Sequence, residues 1–180
     1  MTDAEQPLPV AAIMHESSDN ADDVLLQFAL SMKKAGLKVR GVAQVTTLRP
    51  PASTRDMSII DISTGERLKI SQHRGNDARG CCLDSAALSD ASIILRRACA
   101  DQPDLTVVNR FGRMEAEGSG FAEELLELMA MGLPVLTVVD HKYLDAWREF
   151  TGGMASELAP DKDALSAWYA GLPNATTLAD

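Results

Sequence analysis

Apolar residues along the chain follow two alternating rhythms. Short stretches rich in apolar and β-branched residues lie at 10–14, 39–45, 105–109 and 135–139. Runs of this length predict strands buried in a mainly parallel sheet. Between them the apolar positions recur at helical spacing. Val24, Leu25, Phe28, Ala29 and Met32 form one such face, Leu88, Ala91, Ile94, Leu95 and Ala98 a second, and Phe121, Leu125, Leu128 and Met129 a third. Asn20 is placed to cap the first helix, with Asp22 and Asp23 in its first turn and Lys33, Lys34 and Gly36 at its end. Asp84 or Ser85 opens the second, and Gly132 with Pro134 closes the third. Strand–helix–strand units of this kind have right-handed crossovers. They predict an α/β protein with a three-layer, Rossmann-like arrangement.

One stretch breaks the alternation. After a polar connection interrupted by Pro50 and Pro51, residues 57–62 and 67–70 read as a β-hairpin turning at Ser63-Thr64-Gly65-Glu66, an antiparallel addition to the sheet edge. Residues 109–119 read as a loop. Beyond 139, Leu144, Trp147 and Phe150 mark a short helix stopped at Thr151-Gly152-Gly153, and 164–170 a last short helix carrying Trp168. Residues 1–8 read as a tail and 172–180 as a frayed end, within a single domain over 1–180.

Composition narrows the function. A chain of 180 residues with 46% apolar residues can bury one full core, and no apolar run reaches membrane-spanning length. The opening MTDAEQPLP lacks the basic start and apolar centre of a signal peptide, so the expectation is a cytoplasmic protein without membrane insertion. The formal net charge of −9 and the scarcity of aromatic residues argue against nucleic-acid binding. A small anion remains compatible, because one arginine and a few backbone N–H groups can build a local positive site.

Four places carry candidate chemistry. The loop after the 105–109 strand leaves the carboxyl edge of a central strand, where open α/β sheets bind ligands. It presents Asn109 and Arg110 where a P-loop enzyme would offer an acidic residue to magnesium. Gly118 and Gly120 stand before the next helix, and Glu115 or Glu117 is expected to pair with Arg110 or Arg113. The first strand runs into HESSDNADD, which has neither the glycines nor the lysine of a phosphate loop. Ser17 and Ser18 offer hydroxyls there, while Glu16, Asp19, Asp22 and Asp23 would repel a polyphosphate. The segment SQHRGNDARGCC offers Arg74 and Arg79 as anion ligands. Its Cys81, Cys82 and His73 do not make a zinc site, and no base partner marks a cysteine nucleophile. His141 and Lys142 follow the last strand of the central unit, either facing the same crevice or solvated. Leu125, Leu128, Met129 and Met131 serve the core or an interface between copies, which leaves a homo-oligomer open.

The segments VAAIMHESS, ISQHRGNDARGCCLD, DLTVVNRFGRMEAEGSGF and GLPVLTVVDHKYLDAWREFTGG together resemble a bacterial family of unknown function, over residues 8–153. Its members often carry names of molybdenum or molybdate-transport ATP-binding proteins, and it is similar to P-loop nucleoside triphosphatases. The resemblance implies a P-loop-NTPase-like fold and a link to molybdenum. It departs from those enzymes in its first loop and in Asn109-Arg110. The leading expectation is therefore a non-catalytic protein that binds a small oxyanion such as molybdate or tungstate. Its site would comprise Ser17, Ser18, Arg79, Asn109, Arg110 and Gly118, with no metal and no catalytic residue. The alternatives are a nucleotide phosphohydrolase or kinase with a degenerate phosphate loop, and a ligand-free protein acting through oligomers or a partner.

Overall fold

The computed structural model describes residues 7–16, 20–49, 54–70 and 84–175. Its seven-stranded sheet uses β1 (Val10–His15), β2 (Val39–Arg49), β3 (Thr54–Asp61), β4 (Arg67–Lys69), β5 (Leu105–Val107), β6 (Val135–Asp140) and β7 (Ser156–Leu158). The spatial order is β4-β3-β2-β5-β6-β1-β7. β5 lies parallel between β2 and β6, β1 parallel between β6 and β7, while β2, β3 and β4 pair antiparallel. The fold is thus a mainly parallel, P-loop-NTPase-like α/β domain with an antiparallel edge, as the apolar rhythm and the resemblance imply.

Side-chain alternation along the strands divides the core between two faces. Ala11 and Ile13 of β1, Leu105 and Val107 of β5, and Leu136 and Val138 of β6 pack with α1 (Ala21–Lys34) on one face. Leu165 and Tyr169 of the C-terminal helix Lys162–Ala170 join that layer. Val10, Ala12, Val135 and Val139 point the other way, against α2 (Ser85–Asp101) and the helix Ala122–Ala130. The helix Leu144–Phe150 completes that layer through Trp147. Layers of helix on both sheet faces explain why the first four residues of β1 and all three of β5, Thr106 among them, are buried.

Several local expectations shift. Asn20 stands at the start of α1, but its side chain makes no capping bond. The ladder of β5 ends at Val107, two residues short of Asn109, although Val108 N–H still donates to Leu136 O. The stretch read as a loop contains α3 (Arg113–Ala116), so Ala122–Ala130 is α4, Leu144–Phe150 α5 and Lys162–Ala170 α6. β7 has no counterpart in the apolar pattern, since three half-exposed or exposed residues at a sheet edge carry no apolar signature. Leu125 and Leu128 are core residues, Met129 packs partly against the core, and Met131 is exposed.

Candidate functional site

The site begins where β5 runs out. Phe111 forms an isolated parallel bridge with Val139, its N–H donating to Val138 O at 3.0 Å. Its ring is buried between Trp147 and Phe150, with both centroids 5.1 Å away. This aromatic cluster pins the turn that carries Asn109, Arg110 and Gly112.

Arg110 does not pair with Glu115 or Glu117. It crosses to the first turn of α1 and grips Asp22 in both prongs, Nε to Oδ1 at 2.9 Å and Nη2 to Oδ2 at 2.6 Å. Both side chains are half-buried. The reason is geometric: β6 alone separates β5 from β1, so the two strand ends open on the same crevice. Arg113 takes Glu117 one helical turn on, at 3.0 Å, and that contact raises the arginine's already high pKa.

Glu115 is buried and works on backbone instead of on an arginine. Its Oε2 accepts from Gly112 N and its Oε1 from Phe121 N, each at 3.0 Å. The carboxylate staples the two ends of the 112–121 segment together. Hydrogen bonds to a charged acceptor contribute about 1.5–3 kcal/mol each. Gly120 has a positive φ of 59°, and a Cβ there would overlap the Glu115 carboxylate, so this glycine is required by close approach. Gly118, also at positive φ, spends its N–H on Glu115 O at 3.1 Å and is not a ready donor.

Between this segment and the β2–β3 edge lies an open cleft of about 710 Å³. Its described lining includes Gln44, Met57, Asn109, Arg110, Met114 and Phe121. Asn109 is buried; its Nδ2 reaches Gln44 Oε1 at 3.5 Å and its Oδ1 has no hydrogen-bond partner among the described residues. The structure therefore brings Asn109 and Arg110 to one cleft. Gln44 and Asp22 are parts of this site that sequence reasoning did not assign to it; β2's register and the start of α1 put them there. Ser17, Ser18, His73, Arg74, Arg79, Cys81 and Cys82 lie outside the described residues. His141 Nε2 sits 3.4 Å from Glu16 Oε1 at the β1 edge of the crevice, with both side chains exposed. Among the described residues no group of three or more acidic, histidine or cysteine side chains is placed to hold a metal, and no helix is long and apolar enough to cross a membrane. Cys99, free and buried in α2, has its thiol pKa raised by burial and then by Glu127.

The fold is that of a nucleoside-triphosphatase-like α/β domain. Over 93% of its length the chain superposes on the solution structure of a human cancer-related nucleoside triphosphatase, with a TM-score of 0.66, 13% identity and 98% of that chain covered. It matches THEP1 from Aquifex aeolicus over the same share, with a TM-score of 0.65, 12% identity and 99% of that chain. At such identities the likeness is one of fold. The chain belongs to the family described as protein of unknown function (DUF2478), which matches residues 10–168. It is 37% identical over 163 residues to a Bradyrhizobium diazoefficiens protein named molybdenum import ATP-binding protein ModC 2. That match takes in 91% of this chain but only 18% of the relative's length.

Proposed function

We propose that this chain is a non-catalytic ligand-binding domain that takes a small oxyanion at the carboxyl edge of its sheet, with Arg110 as charge partner. The observation that carries the reading is the bidentate Arg110–Asp22 pair. Arg110 is held in the geometry that grips a carboxylate or a tetrahedral oxyanion in two parallel hydrogen bonds. Asp22 occupies that seat as a built-in anion, and an incoming oxyanion exchanges with it. Asn109, on the same turn, adds an amide donor. Ser17, Ser18, Arg79 and Gly118 complete the proposed donor set. For Gly118 this requires its N–H to leave Glu115 O. The relative's name points to molybdenum, so molybdate is the first anion to test, with tungstate as its chemical analogue.

A thermal-shift panel of molybdate, tungstate, sulfate, phosphate, ATP and GTP, each with and without magnesium, tests the reading. A ligand that prefers the folded chain raises its melting temperature. Stabilisation by an oxyanion, lost in Arg110→Ala and weakened in Arg110→Lys, is the expected result. Arg110→Ala with an undiminished response overturns the site. Response to nucleotides alone, with turnover, selects the enzyme reading; silence across the panel with a stable multimer selects the partner-binding one.

A further inference from the structure

The outer face of the helix pair α2 and α4 keeps large apolar side chains in water. Ile93 on α2 is 48% exposed, Leu126 on α4 50%, and Met131, at the end of α4, 42%. The other large apolar side chains exposed among the described residues lie elsewhere: Met114 lines the cleft, and Leu30 is on α1, across the sheet. Exposed apolar residues gathered on one face mark an interaction surface, whereas single ones do not. The centre of this face, at Arg97, lies roughly 20 Å along the helix from Asp84, the residue at which α2 joins the stretch 71–83.

The charges around these side chains are sorted by helix. The second half of α2 presents Arg96 and Arg97, both exposed, while Asp101 at its end is taken by Arg40 at 2.8 Å. α4 presents Glu123 and Glu127, also exposed, and the sequence has no lysine or arginine between Arg113 and Lys142. The basic and acidic stretches stand level. Ser92 Oγ donates to the buried Glu124 carboxylate, Arg96 Nε reaches the same carboxylate at 3.2 Å, and Arg96 Nη2 lies 3.9 Å from Glu123 Oε2. The strands that follow the two helices, β5 and β6, are parallel, so α2 and α4 run in the same direction.

We infer that this face is an interface between two copies of the chain, with α2 of each copy lying on α4 of the other. A two-fold axis parallel to the helices, and between them, exchanges α2 for α4 and keeps their heights. Arg96 and Arg97 of one copy then meet Glu123 and Glu127 of the second, and the reverse. A two-fold axis across the helices would instead lay α2 on α2, arginine against arginine. A patch that carries both halves of its own complement is what an isologous dimer requires. A uniformly acidic or uniformly basic partner would match one helix and be repelled by the other. Ile93, Leu126 and Met131 leave water among the charged pairs, as the apolar part of such an interface does. The inference is independent of the oxyanion reading, because it uses the outer surface of a helix layer and not the crevice of Arg110 and Asp22.

Sedimentation velocity on the full chain, from low to high micromolar concentration, tests it. The parent is expected to pass from monomer to dimer. Arg97→Glu and Glu123→Arg each set like charges against one another across the two-fold axis and should weaken the dimer about ten-fold or more. Arg96 is left in place because it also holds the buried Glu124. Arg97 and Glu123 are exposed, so both variants keep the parent's circular dichroism spectrum. Mixed in equal amounts, the two variants are expected to pair with each other, since every Arg97–Glu123 contact between them again joins one arginine to one glutamate. Leu126→Ser weakens the dimer without altering charge, and Leu30→Ser, across the sheet, leaves it intact. A chain that stays monomeric throughout assigns the face to a different protein and overturns the inference. A dimer indifferent to Arg97→Glu, mixed variants that fail to pair, or a dimer lost in Leu30→Ser overturns it as well.

Discussion

Arg110 and Asp22 are separated by 88 positions yet share two hydrogen bonds. Sequence reasoning could single out Arg110, because it stands where a central strand meets its loop. It could not find the partner, because Asp22 has a local explanation as an acidic residue at a helix start. Glu115 failed the same way: an i,i+5 carboxylate beside an arginine invites an ion pair, but burial turned it onto backbone N–H groups. Asp22→Asn should lower stability by about 1–2 kcal/mol, between the values for exposed and buried pairs, and should strengthen the oxyanion response by vacating the seat on Arg110. Chemical denaturation and the thermal-shift panel measure the two effects; a weaker response in Asp22→Asn contradicts the exchange. Gly120→Ala tests the staple. It meets the Glu115 carboxylate and a positive φ together, whereas Gly132→Ala faces open space at a φ of 67°. Gly132→Ala should cost about 1 kcal/mol and Gly120→Ala clearly more, read from denaturation midpoints.

At the scale of elements, what repeats was legible and what is short was not. β1, β2, β5 and β6 announce themselves by apolar content, and the β3–β4 hairpin by its turn residues. β7 is held from outside itself: it pairs with β1, and Glu157 receives both prongs of Arg148 from α5, at 2.7 and 2.9 Å. That arginine holds the Glu157 carboxyl below its usual range. A depressed folded-state pKa gives stability that is complete above the ordinary glutamate value of about 4.3 and fades as pH falls through the lower folded one. Glu157→Gln should therefore melt below the parent at neutral pH, by an amount worth at most about 1 kcal/mol for so exposed a pair, and coincide with it in strong acid. A difference that persisted in acid would mean the glutamate acts through packing. α2 offers a plainer case, since Asp84 Oδ1 accepts from Ala86 N at 2.9 Å and Ala87 N at 3.4 Å. Asp84→Ala should cost about 1 kcal/mol by equilibrium denaturation.

For the whole molecule, a nucleoside-triphosphatase-like scaffold carries a site of different charge. Phosphoryl transfer on this kind of fold asks for a glycine-rich loop after the first strand, a lysine for the phosphates and an acidic strand end for magnesium. Here the stretch from His15, the last residue of β1, into α1 reads HESSDNADD, and the turn after β5 presents the amide of Asn109 and the guanidinium of Arg110. The start of α1, where helix N–H groups would favour phosphate, instead carries Asp22 and Asp23, and Asp22 is already bound to Arg110. A triphosphate would have to displace that carboxylate and approach a second one, with no lysine from the loop to offset the repulsion. The purified chain is therefore expected to release no phosphate from ATP or GTP above a buffer control, with or without magnesium, in a continuous phosphate assay. Turnover that scales with protein concentration and disappears in Arg110→Ala would show that the arginine has taken over a catalytic position. It would also replace the binding reading with a phosphohydrolase built on an unfamiliar set of residues.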